Sequence, residues 1–273
     1  MKSSKPDQGP VNSIAVVIPA LNEEGCVEST VRHLYLELNL KKIPHEIVVV
    51  DDGSTDSTWE ILNNLMSEIP TLRPTKNLGP HGFGRAVIWG MNNSTADSLV
   101  VMMADNSDDA KDVVRYWDKL NEGYDCVFGS RFIRGGGVID YPMHKLVLNR
   151  MANLFIKVLF GLPHNDITNA FKAYRRRVIE GCSPFISPHF NLTIEIPLKA
   201  IVRDYSWATI PITWRNRQEG ISKLKIQEMG SRYLFICLYV WLEKILTSDY
   251  RKQVYERNLE HTRSLQIEKP KAN

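Results

Sequence analysis

Residues 14–20 read IAVVIPA, residues 46–58 read EIVVVDDGSTDST, and residues 98–109 read SLVVMMADNSDD. The first opens on a nearly continuous β-branched run, and the other two carry an apolar run straight into an acidic cluster. An apolar run without alternation is the pattern of a strand buried on both faces, as in a parallel sheet. Helical spacing follows each one. After the first, Asn22 offers an N-cap with Glu23 and Glu24 in the turn behind it, then Val27, Val31, Leu34 and Leu38. Ile61, Leu62, Leu65 and Ile69 follow the second, and Val113, Val114, Trp117 and Leu120 the third. CVFGS at 126–130 adds a strand. Strands alternating with helices predict an α/β fold, a doubly wound and mostly parallel sheet.

In such sheets ligands bind beyond the carboxyl ends of the strands. The polar clusters stand there: Asn22 and Glu23, Asp51 and Asp52, Asp105 to Asp109, Ser130 and Arg131. The character changes after Gly135-Gly136-Gly137. A long amphipathic segment at 144–160 follows, then a strand-like AFKAY at 170–174, a helix near 192–201 and the strand ATIPITW at 208–214. The expected organisation is a flexible arm at 1–12, a main domain at 13–225, an amphipathic helix at 226–250 and a charged tail at 251–273. The main domain divides near 134 into a nucleotide-binding half and an acceptor-binding half.

Composition excludes several classes. Among 273 residues, Lys and Arg number 34 against 31 Asp and Glu, so the strongly basic face that nucleic acid requires is not expected. Cysteines at 26, 126, 182 and 237 form no Cys-X-X-Cys pair, which argues against a zinc site or disulfide framework and for a reducing, cytoplasmic setting. Residues 1–12 lack the apolar segment of a signal peptide. The most apolar late stretch, YLFICLYVWL at 233–242, falls short of the ~20 residues of a spanning helix. The helix around it reads equally as an interfacial helix or as a core helix.

Asp51 and Asp52 suit ribose hydroxyls or a base edge, while Asp105, Asp108 and Asp109 suit Mg²⁺ or Mn²⁺. Each one taken alone reads as readily as a helix cap. NLGPHGFGRA at 77–86 misses both the dinucleotide fingerprint and the Walker pattern; it reads either as a turn into a helix or as a loop approaching a diphosphate. Arg131 and Arg217 adjoin expected strand ends and are candidate phosphate clamps, whereas Arg175 to Arg177 read as solvated surface. The seven histidines show no metal spacing and no nucleophile motif.

Taken in order, VVIPALNEEG (16–25), EIVVVDDGSTDST (46–58), MMADNSDD (102–109), GSRFIRGGG (129–137), DITNAFKAYRR (166–176) and GISKL (220–224) resemble family 2 glycosyltransferases. Within that family they are similar to the dolichyl-phosphate mannose synthase and polyprenyl-phosphate glycosyltransferase branch. The resemblance implies a GT-A fold and a nucleotide-sugar donor, GDP-mannose or a UDP-hexose. It implies nucleotide contacts at Pro19, Asn22, Glu23 and Asp52, and a metal contact at Asp105 with Asp108 beside it. Met103 stands where the family's Asp-X-Asp motif has its first acid, and Ser107 where the synthases commonly have Gln. Arg131, Lys145, Arg217, Ser222 and Lys223 match positions for donor and acceptor phosphates, and Asp166 and Asn169 match the sugar site.

The family further implies inversion by one in-line displacement onto a polyprenyl or dolichyl phosphate at a membrane surface, with a membrane-protein partner where the chain lacks its own anchor. A phosphate monoester needs little help from a base, because its second pKa is about 6. The other readings are a saccharide acceptor, which would need a base, and a non-catalytic sugar-nucleotide binding module suggested by Met103.

Overall fold

The computed structural model describes residues 8–216 and 230–247. Residues 1–7 of the expected arm, Arg217, Ser222, Lys223 and the tail at 251–273 lie outside the described residues.

The chain runs β1 (Ile14–Ala20), α1 (Val27–Leu40), β2 (His45–Asp51), α2 (Thr58–Leu65), β3 (Leu72–Lys76), α3 (Phe83–Asn92), β4 (Ser98–Val101), α4 (Ala110–Asn121) and β5 (Cys126–Ser130). It continues through β6 (Gly137–Ile139), α5 (Met143–Phe160), β7 (Lys172–Arg175), α6 (Arg176–Cys182), α7 (Leu192–Val202), β8 (Trp207–Pro211) and β9 (Thr213–Arg215). A last helix, α8, covers 230–247. Seven strands form the main sheet in the order β3-β2-β1-β4-β7-β5-β8, and β6 pairs with β9 apart from it. All pairings in the main sheet are parallel except the two made by β7. The carboxyl ends of the parallel strands therefore share one edge. Lys172, the first residue of the reversed β7, pairs with Val101 and Phe128 at that same edge.

The expected alternation of layers is present, and β1 shows how. Ile14, Val16 and Ile18 pack with α1, α2 and α4 on one face, while Ala15 and Val17 pack with α3, α6 and α7 on the other. Every residue of β1 is buried. Burying one such aliphatic side chain contributes about 1.5–3 kcal/mol, so the run is held on both faces at once. Helix α8 contributes Ile236, Cys237 and Val240 to the second face and leaves Phe235, Leu242 and Leu246 exposed.

Several expectations are corrected. Asn22 is not a helix cap. It takes a left-handed backbone, φ 51°, and its side-chain oxygen accepts the Thr55 N–H at 2.7 Å, so helix α1 begins only at Val27, with Glu28 as the acid in its first turn. The strand expected at 98–104 ends at Val101, because the Met103 N–H turns to the Asp108 carboxylate at 3.0 Å. ATIPITW divides between β8 and β9, which belong to different sheets. Of Arg175 to Arg177 only Arg177 is exposed; Arg175 is buried and Arg176 half-buried. Arg175 donates to the carbonyls of Tyr124, Gly9 and Leu120, Arg176 to Ala96, and Arg177 pairs with buried Asp125. These three arginines stitch loops at the amino edge of the sheet.

Candidate active site

A cleft of about 620 Å³ opens along the carboxyl edge, within the range of small-molecule sites. Its first end is built by the turns after β1 and β2. Pro19 and Glu23 line it with Asp52, which is buried. One Asp52 oxygen accepts from the Asn77 side chain at 2.7 Å and faces His81 Nδ1 at 3.3 Å; the other accepts the Gly82 N–H at 2.8 Å. Asp52 thereby ties the glycine-rich loop to the sheet edge. Gly82 has φ 147°, and a side chain there would meet the Pro188 carbonyl oxygen and the His189 ring. That loop is pressed against the segment before α7, where Phe83 stacks on Phe190 at 4.2 Å between centroids. Asn22 and Asp51 stand outside the lining. The Asn22 side chain serves the Ser54–Thr55 turn, and the Asp51 carboxylate accepts the Ser54 N–H at 2.9 Å.

The middle of the cleft is acidic. Asp105 lines it and accepts the Ser107 N–H at 3.1 Å. Asp108 is fully buried, and burial pushes its carboxyl up to about 7, with the charge of Asp105 adding and the Met103 N–H opposing. Asp109 accepts the Lys111 N–H as the cap of α4, and Asn106 turns to Ser29 and Thr30 of α1. Asn106 and Asp109 do not line this cleft.

Across from the acids, Arg131 at the end of β5 forms a bidentate pair with Asp166. Nε and Nη2 donate to its two oxygens at 2.8 and 2.7 Å, and the Arg131 N–H adds a third bond at 2.9 Å. Both side chains are almost wholly buried. Burial penalises each charge, yet the pairing prevails: Asp166 lies below the usual carboxylate range and Arg131 is held charged. Phe132, Tyr141 and Trp214 surround the guanidinium at 5.2–6.0 Å. Beneath the pair, Lys172 is driven down to about 7 by burial, which the charge of Asp166 opposes. Its ammonium donates to the Ile167 carbonyl at 2.9 Å. Asn169 lines the cleft one turn on, and Lys145 reaches it from α5.

A sequence profile of the family described as Glycosyl transferase family 2 matches residues 15–182. The chain belongs to that family. A polyprenol monophosphomannose synthase of Mycolicibacterium smegmatis is 31% identical over 225 residues, 79% of this chain and 82% of that protein. A dolichol-phosphate mannosyltransferase of Pyrococcus furiosus is 32% identical over 220 residues, 78% of this chain; the match spans 59% of that longer relative. Among solved structures, glucosyl-3-phosphoglycerate synthase from Mycobacterium tuberculosis, crystallised with Mn²⁺, UDP and phosphoglyceric acid, superposes with a TM-score of 0.63. At 20% identity over 85% of this chain and 78% of that one, the likeness establishes a shared GT-A fold. The protein is therefore a family 2 glycosyltransferase whose cleft occupies the edge that the sequence motifs mark out.

For this glycosyltransferase a divalent metal must be tested against the donors present. Among the described residues no cluster of three His, Cys, Asp or Glu side chains could hold an ion alone. Asp105 does share the cleft with the Ser107 hydroxyl, which is buried and has no hydrogen-bond partner among the described residues. One carboxylate, one hydroxyl and the oxygens of a diphosphate make a set that suits Mg²⁺ or Mn²⁺, which commonly share their coordination with substrate phosphates. The residues fit an ion held jointly with the donor and do not form a closed cage.

Sequence reasoning missed His81, Phe190, Tyr141, Thr168 and Tyr233, all of which line the cleft. His81 adjoins a glycine that the sequence reading singled out. Thr168 lies between Asp166 and Asn169 in a motif the sequence reading quoted; Phe190, Tyr141 and Tyr233 arrive from separate elements and carry no local signature.

Proposed function

We propose that this glycosyltransferase moves a hexose from a nucleoside diphosphate sugar to a polyprenyl or dolichyl phosphate at a membrane surface. One observation carries the reading: the cleft that holds the charged groups shares a wall with an apolar groove of about 440 Å³ between α5 and α8. Tyr141, Lys145, Asn149, Thr168 and Tyr233 line both, and Leu148, Phe155, Ile156 and Leu234 continue the groove outward. A wholly polar acceptor would have no use for that extension. A prenyl chain would, with its phosphate at the junction beside Lys145 and the reacting sugar in the cleft. The names of the two relatives, one a polyprenol and one a dolichol-phosphate enzyme, support the same class of acceptor.

The outer faces of the two helices agree with it. Met143, Val147, Met151, Leu154 and Val158 of α5 and Phe235, Leu242 and Leu246 of α8 are exposed, at spacings that put them on one face of each helix. No described helix is long and apolar enough to cross a membrane. Attachment would be peripheral, with the two helices lying in the interface.

The chemistry needs little proton traffic. An ionised phosphate oxygen attacks the anomeric carbon as the bond to the diphosphate breaks, and the electron pair leaves with the nucleoside diphosphate. At neutral pH the acceptor phosphate is already largely deprotonated, so positioning and charge neutralisation dominate. Asp52 and the Gly82 loop would frame the nucleoside. Arg131, aimed by Asp166, would turn the uncommitted edge of its guanidinium toward phosphate. Asp105 and Ser107 would hold a divalent cation, which when bound neutralises the departing diphosphate.

The test is a screen of labelled GDP-mannose and UDP-hexoses with purified protein, Mg²⁺ or Mn²⁺ and a detergent-dispersed polyprenyl phosphate. Label moving into the organic phase is the expected result. Transfer only to a saccharide would overturn the acceptor, and donor binding without any turnover would overturn the enzyme. In a parallel flotation assay the protein is expected to rise with anionic liposomes and to lose that property when Phe235 and Leu242 are both changed to Asp. Equal flotation of the double variant would remove α8 from the membrane contact.

A further inference from the structure

Where cleft and groove meet, the side chains of Asn149, Asn153 and Thr168 form a closed cluster. Asn149 Nδ2 and Asn153 Nδ2 each lie 2.9 Å from Thr168 Oγ1, and the Thr168 N–H donates to Asn153 Oδ1 at 3.2 Å. That backbone bond fixes which end of the Asn153 amide is oxygen. Asn153 Nδ2 in turn donates to Asn149 Oδ1 at 2.9 Å, which fixes Asn149 as well. Asn149 therefore presents an N–H to the threonine oxygen, while the two hydrogens of Asn153 Nδ2 are shared among that oxygen, Asn149 Oδ1 and the Asn149 carbonyl oxygen, also at 2.9 Å. A hydroxyl has two lone pairs and one proton. Both atoms that face it are amide nitrogens, which cannot accept, so the proton has no acceptor within the cluster, and no other described residue accepts it.

Thr168 is half-buried and lines both the cleft and the groove. Its turn also carries Asp166, which sets Arg131, and Lys145 stands at the same junction. An O–H donor at a junction that Lys145 also lines, in a cleft that Arg131 shares, describes a binding point for a tetrahedral oxyanion. We propose that the Thr168 hydroxyl donates to a non-attacking oxygen of the acceptor's phosphate and so turns the attacking oxygen toward the sugar. The inference rests on the phosphate-acceptor reading above and adds a residue whose work is to orient the head group. Donation to a non-attacking oxygen leaves the lone pairs of the attacking oxygen available. The cluster requires nothing of the donor nucleotide, so its effects fall on the acceptor alone.

The experiment is steady-state transfer with donor and acceptor varied separately, beside thermal melts, for wild type, Thr168→Val and Thr168→Ser. Val is expected to raise the acceptor KM by about ten- to a hundredfold, the range for one hydrogen bond to a charged group. The donor KM should stay put, and Ser, which keeps the hydroxyl, should restore the wild-type value. A rise in both KM values together, or a Ser variant as poor as Val, would mean that Thr168 only shapes its turn, and the proposal would fall. If Val does not fold, Thr168→Cys fills similar space with a weak donor and is expected to show the same acceptor-only loss. Wild type failing to use any polyprenyl phosphate would sink the acceptor reading itself, and this contact with it; normal wild-type transfer with a silent Val variant would sink the contact alone.

Discussion

Asp166→Asn is expected to destabilise the protein by about 3–5 kcal/mol, the cost of breaking a buried ion pair by removing one partner. It should abolish most transfer activity as well. The substitution keeps the size of the side chain, so no cavity accompanies it. What changes is that the Arg131 guanidinium, nearly sealed from water, loses the charge that offsets its burial. An amide offers one oxygen where the carboxylate offered two, so either Nε or Nη2 must face an N–H group. The released guanidinium would swing toward solvent past Tyr141 and Trp214, both cleft walls, and disorder the phosphate end of the site. Urea titration measures the first effect and the transfer assay the second. The pH dependence follows from the sign of the shift. Asp166 is depressed in the folded state, so its contribution is complete above the unfolded carboxylate pKa of about 3.9 and is lost as pH falls through the lower folded value. The gap between wild type and variant should thus be constant near neutrality and close in acid. A gap unchanged down to the lowest pH would show that the charge of Asp166 is not what Arg131 depends on.

This pair also marks how far the sequence could be read. β1 and the strands after it declare themselves through apolar runs that only a doubly covered sheet explains, and the acids that follow β2 and β4 lie at its carboxyl edge. β3 was missed because it is an edge strand: Pro74 and Lys76 interrupt its apolar character, and of its five residues only Leu72 is buried. The start of α1 was misplaced because Asn22 spends its side chain on the turn after β2, a contact 33 residues away. Arg131 and Asp166 were each marked for the site separately, as a phosphate clamp and a sugar contact. Their union across 35 residues is set by β7 running backwards between β4 and β5, which brings the loop before it over the end of β5. Arg175 and Arg176 misled for the same reason, since solvated and buried arginines look alike until the carbonyls that receive them are in place. Tyr141 and Tyr233 entered the site only when α5 and α8 came together. Periodicity records which face of an element is apolar, and it is silent on which element that face will meet.

Asp105→Ala is expected to produce the largest loss of turnover, on the order of 10³-fold, because charge neutralisation at a departing diphosphate supplies several kcal/mol of transition-state stabilisation. The position that precedes it in the family motif is Met103, which has no oxygen to offer, and the Met103 N–H is already committed to Asp108. Asp105 and Asp108 are both buried and each accepts one backbone N–H, so what favours Asp105 is its neighbour Ser107, whose hydroxyl has no partner among the described residues. That leaves Asp105 with the unpartnered Ser107 hydroxyl as the protein's share of an ion that the donor would complete. The distinguishing measurement is calorimetric titration of GDP and UDP with and without Mn²⁺. Wild type should bind the preferred nucleotide more tightly with Mn²⁺, Asp105→Ala should bind equally with and without it, and Ser107→Ala should lie between them. Asp108→Asn should retain the Mn²⁺ effect, since an amide oxygen can still accept the Met103 N–H. If Asp108→Asn removed the effect and Asp105→Ala did not, Asp108 would be the ligand. An enzyme with one acid where its family commonly has two should bind the metal weakly by itself and well only with the nucleotide present, so that donor and cation arrive together.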